Sequence, residues 1–404
     1  MTTTTTGRRR RRGRVRGGAL AAAVATIASS AALVACGSPS SSPSSSGGSA
    51  GSVGPSAAAG PSAAAGSGAS AGALATSLST AKDSWAIVPM SSDPAFWEVF
   101  VRPAASATWQ LVTPPGVADN GGLVAATDSA SGLTVAVRPS QDLDFTPVAS
   151  TADAGASWST DGPISDGVAA SAGALAVSGR QLAAVLGNGT IEASSNAGTT
   201  WGTLAKPGTI AASAAGQKCG TVHIASVSFG PVPGQVIAAG DCGATGTAGL
   251  FAHSAGGGWK RVSLPVSGQL VRLGPGTALV RAKAGLTALW EDDAAGWTAS
   301  APLPVTSAVT ASGGLAGATA TSSGGTWVLL PGGQAATIGG PGQQWLLLPP
   351  IPAHTSVLAS GPGTSLDALA VSGSTLTVWQ LDHESTVWAK AQTISVPIQV
   401  GSSS

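Results

Sequence analysis

The chain has 404 residues, 43% of them apolar and only 9% charged, which is the reverse of a disordered composition and far more neutral than the roughly 25% charge of an ordinary soluble domain. Its 57 Gly and 26 Pro exclude a bundle of long helices. The formal charge of +1 conceals a split: seven of the 19 basic residues precede residue 17, and the remaining 12 face 18 acids from Asp83 onward, a net of −6 that argues against nucleic-acid binding.

The first segment reads as an address. Residues 8–16 are RRRRRGRVR, and residues 19–35 form an uncharged apolar run of 17, short of the roughly 20 needed to span a bilayer. A basic start followed by such a run is the pattern of a signal peptide. The run ends in Leu33-Val34-Ala35-Cys36-Gly37, which resembles the bacterial lipobox. That resemblance implies cleavage before Cys36, a lipid on its thiol, and display on the outer face of the bacterial cell membrane. An uncleaved signal anchor and a twin-arginine export signal are the competing readings of residues 1–35.

From Gly37 to Ala73 every residue is Ser, Gly, Ala or Pro except Val53, with GPSAAAG at 54–60 followed by PSAAAG at 61–66. No side chain there is large enough to build a core, so residues 36–79 are expected to be a flexible, disordered tether. Its bias is similar to that of lipoproteins of high-GC Gram-positive bacteria.

Beyond it, tryptophan recurs. Residues 151–158 read TADAGASW and residues 194–201 read SSNAGTTW. Both resemble the Asp-box (BNR-like) repeat, with Asp153, Gly155 and Trp158 in the first copy and Asn196, Gly198 and Trp201 in the second. The resemblance implies a hairpin turn between the third and fourth strands of a propeller blade. The chemistry suits a turn: Asp or Asn bonds nearby backbone N–H groups, Gly supplies positive φ, and Trp packs between sheets. Weaker copies end at Trp259, Trp297 and Trp345, while Trp109 and Trp388 keep little but the ring. The mean spacing from Trp109 to Trp388 is about 46 residues, the period of a propeller blade. Within units, strand-like runs alternate with Gly and Pro turns, as at 174–179, 181–188, 190–196 and 200–207. The fold expected is all-β, a seven-bladed β-propeller of four-stranded blades over residues 80–404, with a pair of β-sandwiches as the alternative. Either residues 74–80 or residues 394–400 would complete the first blade.

Cys219 and Cys242 flank two strand-like runs, 221–229 and 235–241, joined by the turn 230–234. In a hairpin they would lie opposite each other, and export favours a disulfide, closing a loop worth roughly 3 kcal/mol. No CxxC pair or His cluster supports a metal site instead.

Sialidases share the Asp-box, and the resemblance raises the question of catalysis. Their chemistry uses an Arg cluster, a Tyr nucleophile with its Glu, and an Asp acid/base. This chain has no Tyr, and its only Glu, at 98, 192, 291 and 384, are spread over four units. Arg102 and Arg138 precede Pro in strand-like runs and read as edge-strand or solvated charges. His223, His253, His354 and His383 read as surface residues of different units. No catalytic, cofactor or metal residue is therefore assigned. The expected protein is a monomeric, lipid-anchored binding or assembly module for an extracellular protein or an envelope glycan. The alternative is an exo-acting, sialidase-like glycoside hydrolase.

Overall fold

The computed structural model describes residues 76–397 apart from 81, 91–96, 115–122, 128–131, 138–144, 170, 172, 221, 244–245, 293–295, 306–316, 321–324 and 331. The signal segment 1–35, Cys36, the tether to residue 75 and Arg138 lie outside the described residues.

The described strands form seven four-stranded antiparallel sheets, each with its strands side by side in chain order. The first blade holds β1 (Thr76–Ser79), β2 (Asp83–Pro89), β3 (Trp97–Pro103) and β4 (Gln110–Leu111). The second holds β5 (Leu123–Thr127), β6 (Leu133–Val137), β7 (Val148–Thr151) and β8 (Ser159–Thr160). The third holds β9 (Leu175–Ser178), β10 (Gln181–Val185), β11 (Ile191–Ser194) and β12 (Gly202–Ala205). The fourth holds β13 (Val222–Phe229), β14 (Val236–Cys242), β15 (Thr247–His253) and β16 (Lys260–Val262). The fifth holds β17 (Gly268–Gly274), β18 (Thr277–Ala282), β19 (Gly285–Asp292) and β20 (Gly296–Ala299). The sixth holds β21 (Gly317–Ala320), β22 (Thr326–Leu330), β23 (Gln334–Ile338) and β24 (Leu346–Leu347). The seventh holds β25 (Thr355–Ser360), β26 (Leu366–Ser372), β27 (Thr375–Leu381) and β28 (Ala389–Ser395).

First strands pack beside first strands in a closed circuit: β1 meets β5, β5 meets β9, and so on through β13, β17, β21 and β25 back to β1. This is the seven-bladed β-propeller. The middle strands read as near-continuous apolar runs because both sheet faces are covered by neighbouring blades. The core is accordingly divided into seven clusters, one per seam. Trp85, Val101 and Val135 join the first blade to the second, and Leu289, Val280 and Ile237 join the fifth to the fourth.

The strand order also sorts the loops. Links from a fourth strand to the next blade's first, and turns from second to third strands, emerge on one face of the ring. Turns between first and second, or third and fourth, strands emerge on the other.

Three findings refine the expectations. Residues 76–79 form β1, paired with β2 from Thr76↔Ile87 to Ser79↔Ser84, so the propeller begins ahead of the boundary expected at 80. The last described strand, β28, pairs with β27 and completes the seventh blade, and among the described residues no C-terminal strand joins the first. The link between the third and fourth blades carries two one-turn helices, α1 (Thr209–Ala212) and α2 (Ala214–Gln217), in an otherwise all-β assembly of described residues. Ser213 makes both: its Oγ donates to the Ile210 carbonyl at 2.6 Å and accepts from the Gly216 N–H at 3.1 Å.

Candidate functional site

The two clearest sequence motifs occupy matching turns between third and fourth strands. Asp153 Oδ1 accepts from Thr151 Oγ1 at 2.8 Å and from the Ser157 N–H at 2.9 Å, and Oδ2 accepts from Ser157 Oγ at 2.5 Å. These hydrogen bonds hold the Asp153 carboxyl down at about 2. Asn196 repeats the pattern with one reversal: its Oδ1 accepts from Ser194 Oγ and the Thr200 N–H, but its amide donates to Thr200 Oγ1 at 2.9 Å. Gly155 has φ 80°, and a Cβ there would lie 2.5 Å from Val112 of the first blade, so both conformation and space demand glycine.

The tryptophans act across seams. Trp158, Trp201, Trp259, Trp297, Trp345 and Trp388 each pack into the cluster between their own blade and the preceding one. The indole N–H of Trp158 donates to Val112, of Trp201 to Gly162, of Trp345 to Ala301 and of Trp388 to Pro349, each a backbone carbonyl of the preceding blade's exit. Trp297 Nε1 is buried without a partner. All these residues serve the ring's cohesion.

The seam that closes the ring is different. Trp109 donates there to a carboxylate, Asp367 Oδ2, at 2.8 Å. Arg102 lies 3.6 Å from the same oxygen, 5.8 Å over the Trp109 ring, and also donates to Ser84 Oγ and the Ser360 carbonyl. Arg102 is thus a buried, ion-paired residue at 4% exposure, not the edge-strand or solvated charge expected. Its β-strand faces a second blade rather than water. Burial lifts the Asp367 carboxyl to about 6, against the opposing pull of Trp109 and Arg102.

The other charges form no cluster at one site; His223 faces Asp241 across the β13–β14 ladder, where burial raises the Asp241 carboxyl against the pull of His223. Among the described residues the arginines lie in the first blade (102), third (180), fourth (261) and fifth (272, 281). Arg272 sits just past an irregularity in the β17–β18 register and reaches across to Thr76 Oγ1 of β1 at 2.8 Å, bridging the ring's interior. Burial lowers its guanidinium to about 10. Glu98 accepts from Thr113 Oγ1 in the first blade, with burial pushing its carboxyl up, and Glu192 accepts from Ser165 Oγ at the second-to-third link. His223 and His253 share the fourth blade, contrary to the expectation of separate units, but stand on β13 and β15 at opposite ends. No group of three His, Cys, Asp or Glu among the described residues is placed to hold a metal.

Two concavities are lined by described residues alone. One, of about 220 Å³, lies under the helical link, lined by Asn188, Ile191, Lys206, Ile210, Val222 and His223. The link is pinned: Cys219 and Cys242 form a disulfide with Cα atoms 5.0 Å apart, and Arg261 Nη1 donates to the Lys218 carbonyl at 3.2 Å. The pairing at Cys219 and Cys242 matches the hairpin reading. The short helices were not anticipated, because four-residue helices carry no periodicity to detect.

The other concavity, of about 360 Å³, is an open groove on the rim between the sixth and seventh blades. Pro349, Pro350 and Pro352 form one wall, and Trp379, Val387 and Trp388 the other. Leu348, Ile351 and Trp388 anchor it in the seam cluster beneath. Its walls carry no titratable side chain. Sequence reading used Trp388 only as a repeat marker and missed this groove, whose signal is the run LLLPPIP at 346–352.

No protein-family model matches the chain, and no curated protein does. Among solved structures, the chain is similar to a GH74 xyloglucanase from Xanthomonas campestris at 16% identity and TM-score 0.52, over 77% of this chain and 52% of that one. The chain therefore spans about half the length of that protein. YCF48 bound to D1 peptide is similar at 15% identity and TM-score 0.45, covering 78% of this chain and 94% of the other. The fucose-specific lectin from Aleuria aurantia is similar at 12% identity and TM-score 0.40, covering 81% and 96%. At these identities the likeness is one of propeller fold.

Proposed function

We propose that the protein is a lipid-anchored, non-catalytic binding or assembly module of the bacterial cell surface. In this reading Cys36 carries the lipid on the outer face of the membrane, residues 37–75 are the tether, and a monomeric propeller with Asp-box turns at Asp153 and Asn196 presents the binding surface. The ligand is an extracellular protein or an envelope glycan. The observation that carries the reading is the rim groove: an open apolar concavity on a rigid ring suits recognition, and its lack of acid or base leaves nothing there for hydrolysis. The carboxylates of Glu98 and Asp367, raised by burial, are engaged inside the first blade and in the closing seam. Among the described residues, no comparable arrangement of side chains supports the hydrolase reading.

The anchor is tested by mass spectrometry of membrane fractions: a mature chain starting at Cys36 with added lipid mass is expected, and Cys36→Ser should release or stall the protein. A start elsewhere, or no lipid, defeats the anchor. Binding is tested by retention of labelled full chain on isolated cell envelopes. Saturable retention, reduced by Trp379→Ala, with no sugar released is the expected result. Release of reducing sugar would restore the hydrolase.

A further inference from the structure

We infer that the rim groove between the sixth and seventh blades docks an apolar, basic-flanked segment of a second protein. This inference rests on the binding-module reading and specifies its site and partner. Five large apolar side chains are exposed on the described surface, and two belong to this rim: Val387 at 70%, and Leu346 at 64% on the face of β24 that it shares with Leu348 toward the seventh blade, whereas Leu347 pairs with Ala336 on the opposite face. Singly exposed apolar residues need no explanation, but two of them flanking an apolar groove mark an interaction surface.

The walls argue for protein rather than glycan. A sugar ring recognises a flat, open aromatic face. Trp388 is only 8% exposed and spends its indole N–H on the Pro349 carbonyl, and Trp379 is half-buried against the same seam cluster, so neither indole stands as an open face. What the rim offers outward is branched aliphatic, Leu346 and Val387, whose natural complement is an apolar side chain.

The backbone argues for side-chain recognition rather than an added strand. β24 is two residues long, and Pro349, Pro350 and Pro352 follow it without N–H groups. The edge therefore cannot zip to a partner strand. Charge sets the flank: Asp382 and Glu384 stand exposed in the turn that leads to Val387. His383 lies between them, and Lys390 stands opposite Trp379 on β28. With two acids against one lysine on that side, a basic residue beside the apolar anchor is favoured.

A random displayed-peptide library, panned on the full chain in detergent, tests the proposal. The expected result is a recovered motif of aliphatic or aromatic residues next to Lys or Arg. A synthetic peptide of that motif should lose at least about tenfold in affinity to Leu346→Asp and to Val387→Asp, a difference of about 1.4 kcal/mol. Both side chains point to water, so neither change should lower the melting temperature. Replacing the peptide's basic residues with Glu should weaken it similarly.

No recovered motif, an acidic motif, or equal binding to both variants overturns the proposal. If envelope glycan is retained instead and Val387→Asp abolishes that retention, the partner class is wrong while the binding reading stands. If sedimentation shows a dimer that Leu346→Asp dissociates, the surface joins copies of this chain, and the proposal fails. Sugar release removes both readings together.

Discussion

Single side chains in this ring are specialised by which seam they face. Trp158 fills the seam between the first two blades and bonds its carbonyl, so Trp158→Ala should lower stability by about 3 kcal/mol through the lost contact, read from a thermal or urea transition. Asp153, held down by its turn hydrogen bonds, has a folded pKa of about 2, below the roughly 3.9 of an unfolded Asp. Its contribution is present above pH 4 and lost as pH falls toward 2, so Asp153→Ala should flatten the acid limb of the stability curve. Asp367 has the opposite sign. Its folded pKa of about 6 lies above the unfolded value, so the folded state holds the proton more tightly. Stability from this group grows as pH falls from 6 to 4. Relative to Asp367→Asn, the wild type should gain on the order of 3 kcal/mol across that window; parallel curves would show that burial does not govern this carboxyl. The turn residues were legible in the sequence because their contacts lie within eight residues. The Arg102–Asp367 contact was not: Trp109 and Asp367 are 258 positions apart, and only ring closure brings them together.

At the scale of elements, the strands were largely legible. The run at 181–188 contains β10, and the run at 174–179 contains β9, because buried strands bounded by Gly turns are dense in apolar residues. Residues 208–220 resisted reading because α1 and α2 owe their shape to tertiary ties rather than propensity. Ser213 stitches them together, Gly216 admits the Ile210 carbonyl where a Cβ would lie 1.9 Å away, and Cys219 fixes the exit. Cys219→Ser should therefore free the link locally. Cleavage between 206 and 221 by limited proteolysis should rise sharply, with global stability falling by roughly 3 kcal/mol or less on the loop-entropy estimate. Unchanged protection of the link would mean that Ser213 and Arg261 hold it without the disulfide. The groove on the sixth and seventh blades was illegible for another reason: its two walls are separate stretches, and each alone reads as a proline stop or a turn.

At the scale of the molecule, the tryptophan period made the number of blades legible, whereas the manner of closure was not. A ring of separate sheets must hold its first and last blades together without a covalent neighbour. Here the closing seam gathers polar bonds: Ser77 Oγ donates to the Leu358 carbonyl, and Ser79 Oγ to Ser360 Oγ. Gln392 accepts from the Trp109 N–H and donates to the Trp109 carbonyl. With Arg102 and Asp367, these replace the chain link that every other seam possesses.

Because each blade is drawn from one unbroken stretch, the place where the chain is cut is, to the ring, arbitrary. Joining residue 397 to residue 76 through a short Gly/Ser bridge would create one more link of the kind that already joins neighbouring blades. New ends opened in any other such link should yield a circular permutant with the same circular dichroism and the same disulfide. An open or unfolded product would mean that the present ends are needed for the ring to assemble. If the permutants fold, any one of the seven seams can do without a chain link, and the polar bonds of the present closing seam are a substitute that another seam need not copy.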